Sequence, residues 1–172
     1  MNKILGQEYF NQDTIKIVKD LLGKHIVKQE KQGLKKLKIK ETEAYLGEED
    51  KACHAHSGKT DRTKVMYGPP GVWYVYLIYG MYDMLNIVTE EKNTPCAVLI
   101  RSAGEYDGPG ILTRELNINR SYNNKPANKK TGLWIEDNKN KISKDQINSS
   151  PRIGVDYAKE WADKPLRFTL EE

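Results

Sequence analysis

The pattern of apolar and polar residues predicts a helix and then a strand hairpin near the start of the chain. Ile15, Val18 and Leu22 are spaced so that they share one face of a helix over residues 13–23. A strand over residues 24–30 follows, and a Gln-Gly pair then turns the chain into a second strand. A helix followed by antiparallel strands is therefore expected in this part of the chain.

The second strand places carboxylates where apolar residues are expected. Leu37 and Ile39 point one way, and the lysines around them point the other way. If this alternation continues, Glu41, Glu43 and Tyr45 lie on the apolar face, where a buried charge requires a partner. The alternative is that the strand ends just before Glu41, which would leave both carboxylates in solvent.

The remaining pattern predicts mainly strands and loops. A long loop is expected over 47–71, hairpin arms over 74–79 and 82–88, strands over 96–102, 132–135 and 166–170, short helices over 110–117 and 156–163, a constrained loop over 151–155, and flexible surface over 119–130 and 136–150. Strands follow one another more often than they alternate with helices. This order favours an α+β fold with an antiparallel sheet, and the length favours one domain over residues 1–172.

Composition narrows the class of protein without identifying a function. Hydrophobic residues make up 38% and charged residues 30% of the chain, which fits a globular protein with a well-solvated surface. No apolar run is long enough to span a membrane, and the first residues do not resemble a signal peptide, so we expect a cytoplasmic protein. Two cysteines are too few for a disulfide framework. The net charge of +4 permits anionic partners but does not require them.

Four tyrosines lie within nine residues, at Tyr74, Tyr76, Tyr79 and Tyr82. The pattern predicts an aromatic strand that enters a two-residue type II′ turn at Gly80-Met81. Exposed flat rings on a hairpin tip suit stacking against nucleobases. The alternative is that these tyrosines simply reflect the preference of aromatic residues for strands.

Several common catalytic sites are not indicated by the sequence. Cys53, His54 and His56 lack a second Cys/His pair at zinc-site spacing, so no metal is expected. Neither a P-loop nor a Gly-x-Ser-x-Gly elbow occurs. Carboxylate chemistry remains, because a partly buried Glu has a raised pKa and can act as a general base toward water. Arg101, on a different strand, could supply the compensating positive charge.

A series of longer motifs spans almost the whole chain. In order they are Glu41-Thr-Glu43-Ala-Tyr45-Leu-Gly47, His54-x-x-x-Gly58-x-Thr60-x-Arg62-x-x-x-Met66, Tyr74-Val-Tyr76-Leu-Ile-Tyr79-Gly-Met-Tyr82, Asn86-Ile87, Gly108-Pro-Gly110-x-Leu112-Thr, Pro151-Arg-Ile-Gly-Val155 and Lys164-Pro-Leu-Arg-Phe168. Their content and order strongly resemble those of the alkyladenine (3-methyladenine) DNA glycosylase family.

The resemblance implies a monofunctional enzyme of base-excision repair. Such an enzyme flips a damaged purine, of the 3-methyladenine, hypoxanthine or ethenoadenine class, out of double-stranded DNA and hydrolyses its bond to deoxyribose. The family implies one α+β domain with a curved antiparallel sheet, no metal and no cofactor. No lysine nucleophile stands in the motifs, so no strand-cleaving lyase activity is expected. We expect a monomer that acts on duplex DNA.

The resemblance also implies roles for individual residues. Glu43 corresponds to the general base that activates water, and Arg101 to a residue that orients Glu43 and the water. The walls of the base pocket would be Tyr45, His54 and Tyr76, with Asn86 as a gatekeeper against the exocyclic amino group of guanine and Tyr79 as the wedge that fills the gap in the duplex. For the other two tyrosines of the hairpin, packing is the expected role.

The sequence departs from the family pattern in the loop near the expected pocket. His56-Ser57 stands where relatives often carry an aromatic and a basic residue, and Asp61 stands where an uncharged residue is common. We expect these departures to affect affinity and substrate range rather than the core mechanism. Two alternative functions remain: a non-catalytic module that binds DNA lesions, against which Glu43 and Arg101 argue, and a hydrolase of free nucleosides, against which the wedge Tyr79 argues.

Overall fold

The computed structural model describes residues 2–171. The α-helices are α1 Gln7–Phe10, α2 Thr14–Asp20 and α3 Pro109–Glu115. The strands are β1 Lys3–Ile4, β2 His25–Glu30, β3 Gly33–Leu46, β4 Trp73–Ile78, β5 Tyr82–Thr89, β6 Cys96–Ala103, β7 Tyr106–Asp107, β8 Leu133–Asp137, β9 Ile147–Ser150 and β10 Arg167–Leu170. Short 3-10 helices cover Gly47–Glu49, His54–Ser57, Thr63–Tyr67, Arg120–Tyr122, Lys144–Gln146 and Asp156–Trp161.

The strands form one open antiparallel sheet, which confirms the predicted α+β class. Its main path runs β1-β8-β2-β3-β6-β5-β4, with β7 beside β6 and the β9–β10 pair joined to β3. The 14-residue β3 pairs with β2 through its first half and with both β6 and β10 through its second half. It therefore connects the two parts of the sheet.

A β-bulge in β3 decides which face of the sheet each carboxylate occupies. Register shifts interrupt the pairing of β3 with β6 on either side of Glu41. Ile39 and Ala44 both belong to the main core although they lie an odd number of positions apart, five, so the side-chain alternation changes phase between them. The strand does continue to Leu46, as one prediction had it. The expectation that Glu43 shares the face of Ile39 is wrong, because the extra residue turns it to the opposite face.

The main hydrophobic core lies on the face of β3 that carries Ile39 and Ala44. α2 packs there against β3 and β6, and α3 packs against β5 and β6. Trp73 of β4 and Leu85 of β5 are fully buried within this core. Thr42, which follows the bulge, donates its hydroxyl hydrogen bond to the Val18 carbonyl of α2 at 2.8 Å. This face is therefore closed by helices and is separate from the face that carries Glu43.

The turn of the aromatic hairpin differs from the predicted one. Ile78 pairs with Tyr82, and Tyr79 and Gly80 both have positive φ, at 52° and 66°. The Met81 amide donates to the Ile78 carbonyl at 3.2 Å, so the turn is centred one residue earlier than expected. Positive φ at both central positions is the signature of a type I′ turn rather than type II′. Tyr79 therefore lies in the turn and not on the strand.

Two further expectations require correction. The segment 47–71 is not structureless, because it contains three of the 3-10 helices. Residues 147–150 form β9 instead of flexible surface. The short helix expected over 156–163 is present as a 3-10 helix over Asp156–Trp161. The short β1 and α1 were not expected, since elements of two and four residues carry no periodicity.

No helix in residues 2–171 is both long and apolar enough to cross a membrane.

A buried ion pair joins two loops that border the face opposite the core. Both side chains of Asp50 and Arg152 are fully buried, with Nη1 to Oδ2 at 2.5 Å and Nη2 to Oδ1 at 2.8 Å. Arg152 Nη1 also donates to the Ala44 carbonyl of β3 at 2.9 Å. Asp50 in turn accepts from the Leu46 and Ala52 amides. The pair thereby fixes the loop over 151–155 against the end of β3.

We predict that Thr42→Val destabilises the protein although it preserves volume and branching. The substitution leaves the Val18 carbonyl without its hydroxyl partner in the core, which costs about 1–3 kcal/mol. Urea denaturation measures the change in the free energy of unfolding. Thr169→Val on the half-buried β10 is the matched control, because the strand preference of the new residue is the same. Equal stability of the two variants would contradict the structural role of Thr42.

We predict that Arg152→Met destabilises the protein by about 3–5 kcal/mol, because the Asp50 carboxylate stays buried without a counter-charge. The control is Lys51→Met, which breaks the exposed Lys51–Glu160 pair and is expected to change stability by about 0–1 kcal/mol. Thermal and urea unfolding of both variants provide the comparison. If Arg152→Met lowers the free energy of unfolding no more than Lys51→Met does, the prediction is contradicted.

Candidate active site

A cavity of about 210 Å³ opens on the face of the sheet opposite the main core. Six of the seven site residues expected from the sequence line it: Tyr45, His54, Tyr76, Tyr79, Asn86 and Arg101. They come from β3, β4, β5, β6, the hairpin turn and a 3-10 helix, so the fold brings together residues that are far apart in the chain. Glu43, the seventh, lies directly behind this lining.

The Glu43 carboxylate is fully buried and is hydrogen-bonded through both oxygens. The Ile153 amide donates to Oε1 at 2.9 Å, and the Tyr45 hydroxyl donates to Oε2 at 2.7 Å. Arg101 Nη1 lies 3.5 Å from Oε1. Tyr45, Arg101 and Ile153 also line the cavity, so the carboxylate approaches the cavity at the point where these three residues meet.

Burial raises the pKa of Glu43 above its ordinary value, because desolvation disfavours the charged form. The positive charge of Arg101 is the largest opposing effect, followed by the hydrogen bonds from Ile153 and Tyr45. A carboxylate in this setting binds a proton more readily than an exposed one. In its ionised form such a group is a stronger base toward water than an exposed carboxylate.

Arg101 is shared between two carboxylates on β3. Its Nε donates to Glu41 Oε1 at 2.9 Å, while its Nη1 faces Glu43. Arg167 of β10 donates to the same Glu41 oxygen at 2.8 Å. Glu41 therefore fixes the guanidinium of Arg101 from the side away from Glu43, a role that the sequence analysis did not assign to it.

The aromatic wall of the cavity is formed by His54 and Tyr76, with ring centres 4.4 Å apart and an angle of 68° between the planes. Tyr74 supports both, because its ring centre lies 5.2 Å from that of Tyr76 and its hydroxyl lies 2.9 Å from His54 Nδ1. Burial, and next the charge of Arg62, lower the pKa of His54 to about 4. His54 is therefore uncharged at neutral pH.

Two further predicted residues are held rigidly by their surroundings. The guanidinium carbon of Arg152 lies 4.9 Å from the centre of the Tyr45 ring, so the buried ion pair also fixes this ring. Asn86 is buried, and its amide nitrogen donates to the carbonyls of Tyr74 at 3.1 Å and Met84 at 3.4 Å. These contacts fix the orientation of the Asn86 side chain at the cavity wall.

Tyr79 stands at the mouth of the cavity and is 77% exposed. Met81, next to it in the hairpin tip, is also largely exposed. Tyr82 has a different environment, because its ring packs against Gly110, where an added Cβ would lie 2.6 Å from the ring. Tyr74 and Tyr76 thus both line the cavity, with Tyr74 also supporting His54, whereas Tyr82 packs against Gly110 and Tyr79 lies at the exposed tip.

Two residues of the site were missed by sequence reasoning. Ile153 contributes its backbone amide to Glu43, and its segment was recognised as a constrained loop and a family motif without a role in the site. Tyr157, which is exposed, lines the cavity mouth and donates to the Ala52 carbonyl at 3.3 Å. A backbone donor leaves no trace in residue type, so only the motif around Ile153 could have indicated it.

The cysteine and histidines in the 53–56 segment do not converge. Cys53 Sγ faces the Pro95 carbonyl, His54 contacts Tyr74, and His56 Nδ1 lies 2.7 Å from the Glu48 carbonyl. Within residues 2–171, no group of three His, Cys, Asp or Glu side chains is arranged to hold a metal ion.

Comparison with known proteins identifies the family of the chain. The family model of methylpurine-DNA glycosylase matches residues 8–106 and 105–172. A protein of Methanocella arvoryzae, provisionally named 3-methyladenine DNA glycosylase, is 43% identical, with 96% of this chain and 91% of the relative aligned. Relatives with the same provisional name in Legionella pneumophila strain Corby and in Bdellovibrio bacteriovorus are each 42% identical, with 98% of this chain aligned. The chain therefore belongs to the methylpurine-DNA glycosylase family.

Proposed function

We propose that the protein is a monofunctional DNA glycosylase that hydrolyses the bond between a damaged purine and deoxyribose in duplex DNA. One observation carries the proposal: the buried carboxylate of Glu43 lies behind an aromatic cavity, between Arg101 and the Ile153 amide. An uncharged ring pocket suits a base, and a carboxylate with a raised pKa suits the activation of water. Family membership supports the same reaction.

In this proposal Glu43 accepts the proton of the water that attacks the anomeric carbon. Arg101 holds the carboxylate and, together with Ile153, marks the side from which water reaches it. The released base carries the bonding electrons away, and a positively charged alkylated purine is a good leaving group for that reason. No lysine lines the cavity, so a Schiff base and strand cleavage are not part of the mechanism.

In this proposal the aromatic wall also accepts a positively charged base, although Arg62 lies 4.9 Å from the centre of the Tyr76 ring. Tyrosine rings attract a cation through their faces, with a contribution of about 0.5–2 kcal/mol per contact. His54 is uncharged and so does not repel such a base. Asn86, held at the wall by two backbone carbonyls, is the proposed obstacle to the exocyclic amino group of guanine.

Tyr79 is the proposed wedge that fills the space left by the flipped nucleotide. The type I′ turn presents its ring at an exposed tip beside the cavity, while Tyr82 packs against Gly110 and holds the hairpin. Flipping costs a few kcal/mol, least for a damaged base, and an inserted ring offsets part of this cost. The proposed partner is duplex DNA bound by one copy of the chain.

We predict that Glu43→Gln reduces base release by about 10²–10⁴-fold, the usual contribution of a general base. The assay is single-turnover release of free base from duplexes that carry hypoxanthine, ethenoadenine or 3-methyladenine. Glu43→Gln should still bind the damaged duplex, because the cavity and Tyr79 remain. Exposed Glu91→Gln is the matched control and should act like wild type.

The same assay separates the enzyme from a lesion-binding module. A module would bind the damaged duplex without releasing any base from it. Wild-type rates in Glu43→Gln would show that Glu43 is not the base, and absence of release by the wild type from every lesion would remove the proposed activity.

We predict an acid limb in the pH profile of the single-turnover rate. Only the ionised Glu43 can accept a proton from water, so the rate falls as the pH decreases through its pKa. Because burial raises this pKa, the midpoint should lie above 4.5, the ordinary value for glutamate. The measurement is the rate at saturating enzyme across a pH series. A midpoint at or below 4.5 would show that burial does not control the ionisation of the base.

A further inference from the structure

A second cavity, of about 710 Å³, lies between α2 and the segment over 136–147. Six lysines and two aspartates line it: Lys16, Lys19, Lys24, Lys139, Lys141, Lys144, Asp20 and Asp137. The formal charge of these eight side chains is +4, which equals the formal net charge of the whole chain. These eight side chains thus form a strongly positive surface, which we name the lysine surface.

The two aspartates do not neutralise the exposed part of the lysine surface. Both lie close to the buried Lys24, with Asp20 at 3.5 Å and Asp137 at 3.3 Å from its Nζ. Asp20 also accepts a hydrogen bond of 2.5 Å from the Tyr9 hydroxyl. The other five lysines are exposed. Five cations thus face solvent around one cavity.

The segment that carries three of these lysines is held in place by defined contacts. Ile142 packs on Gly23, where an added Cβ would lie only 2.7 Å from its side chain. Asn138 Nδ2 donates to the Gly23 carbonyl at 2.8 Å. Ser143 and Gln146 form a capping box, and the Glu171 amide donates to the Gln146 carbonyl at 2.8 Å. The lysines are therefore presented from a fixed surface and not from a loose loop.

We propose that the lysine surface is a second binding surface for duplex DNA, used through the phosphate backbone. Clustered lysines bind phosphates independently of the base sequence and release counterions from the DNA. Within residues 2–171, the cavity lining includes no aromatic residue that could read bases. The positive charge of this surface favours a polyanion as its ligand. The choice of duplex DNA among polyanions rests on the proposed glycosylase function.

The position of the lysine surface requires that it contact a second DNA segment. α2 packs on the core face of β3 through Thr42, whereas the neighbouring Glu43 points to the cavity on the opposite face. A domain of this length has a radius of gyration of about 16 Å. Duplex DNA has a persistence length of about 150 base pairs and does not bend around so small a body at low cost. The protein would therefore join two segments, which permits direct transfer between them during the search for damage.

The test is a bridging experiment with the full chain at low salt. A biotinylated duplex with hypoxanthine is immobilised, protein is added, and capture of a fluorescent undamaged duplex is measured. The variant replaces Lys139, Lys141 and Lys144 by glutamate, and the matched control replaces the exposed Lys125, Lys129 and Lys130 by glutamate. A milder triple variant with glutamine at 139, 141 and 144 tests charge removal without reversal.

We expect the wild type and the control to capture the second duplex, and the Lys139/Lys141/Lys144→Glu variant to lose capture by about tenfold or more. The glutamine variant should be intermediate. Base release at saturating enzyme, scored separately on short lesion duplexes, should be unchanged in all variants, which also shows that they fold. The proposal is overturned if the wild type captures no second duplex. It is also overturned if the glutamate variant captures as much duplex as the wild type, which is the result that dimerisation through another surface would give. Capture without release from any lesion would refute the glycosylase function and leave the second surface intact.

Discussion

The complete burial of the Glu43 carboxylate is the constraint on which the site depends. An unpaired charge in this position would cost several kcal/mol, so the fold must supply compensating groups. They come from three parts of the chain: Tyr45 on β3, Arg101 on β6 and the Ile153 amide in the loop that the Asp50–Arg152 pair fixes. The arrangement that offsets the desolvation also leaves a base with a raised pKa. Stability and proposed chemistry therefore rest on the same contacts.

The bulge at Glu41 connects the sequence to this site. It lets one strand present apolar residues to the core before and after it, while Glu43 and Tyr45 turn to the cavity. The alternation predicted the strand and the burial of the carboxylates. It did not predict the change of phase, because a bulge depends on the pairing of β3 with β6, and an alanine such as Ala44 marks the shifted face only weakly. The position of the hairpin turn is a similar case, since Tyr79 adopts a positive φ that its residue type does not favour.

Most side chains of the candidate site were predictable because long motifs contain them in order, and Arg101 was assigned from its Leu-Ile-Arg context. The groups that support these side chains were harder to predict. The Ile153 amide is a backbone group, and Arg152 acts through Asp50, a residue 102 positions away whose acidic neighbours suggest only a solvated loop. Likewise, the lysine surface combines residues of α2 with residues 139–144 and becomes visible only when Ile142 is seen packed on Gly23. Tertiary contacts, rather than local sequence patterns, determine the positions of the Ile153 amide, the Asp50–Arg152 pair and the lysine surface.

The most direct test of the central claim is the ionisation of Glu43 itself. Protein labelled with ¹³C at the glutamate carboxyl carbon is titrated by NMR, and the Glu43 resonance is the one that disappears in Glu43→Gln. The account predicts a midpoint above 4.5, because burial outweighs the hydrogen bonds and the charge of Arg101. A resonance that titrates at or below 4.5 would contradict it, since the carboxylate would then be held as a stable ion and not as a base.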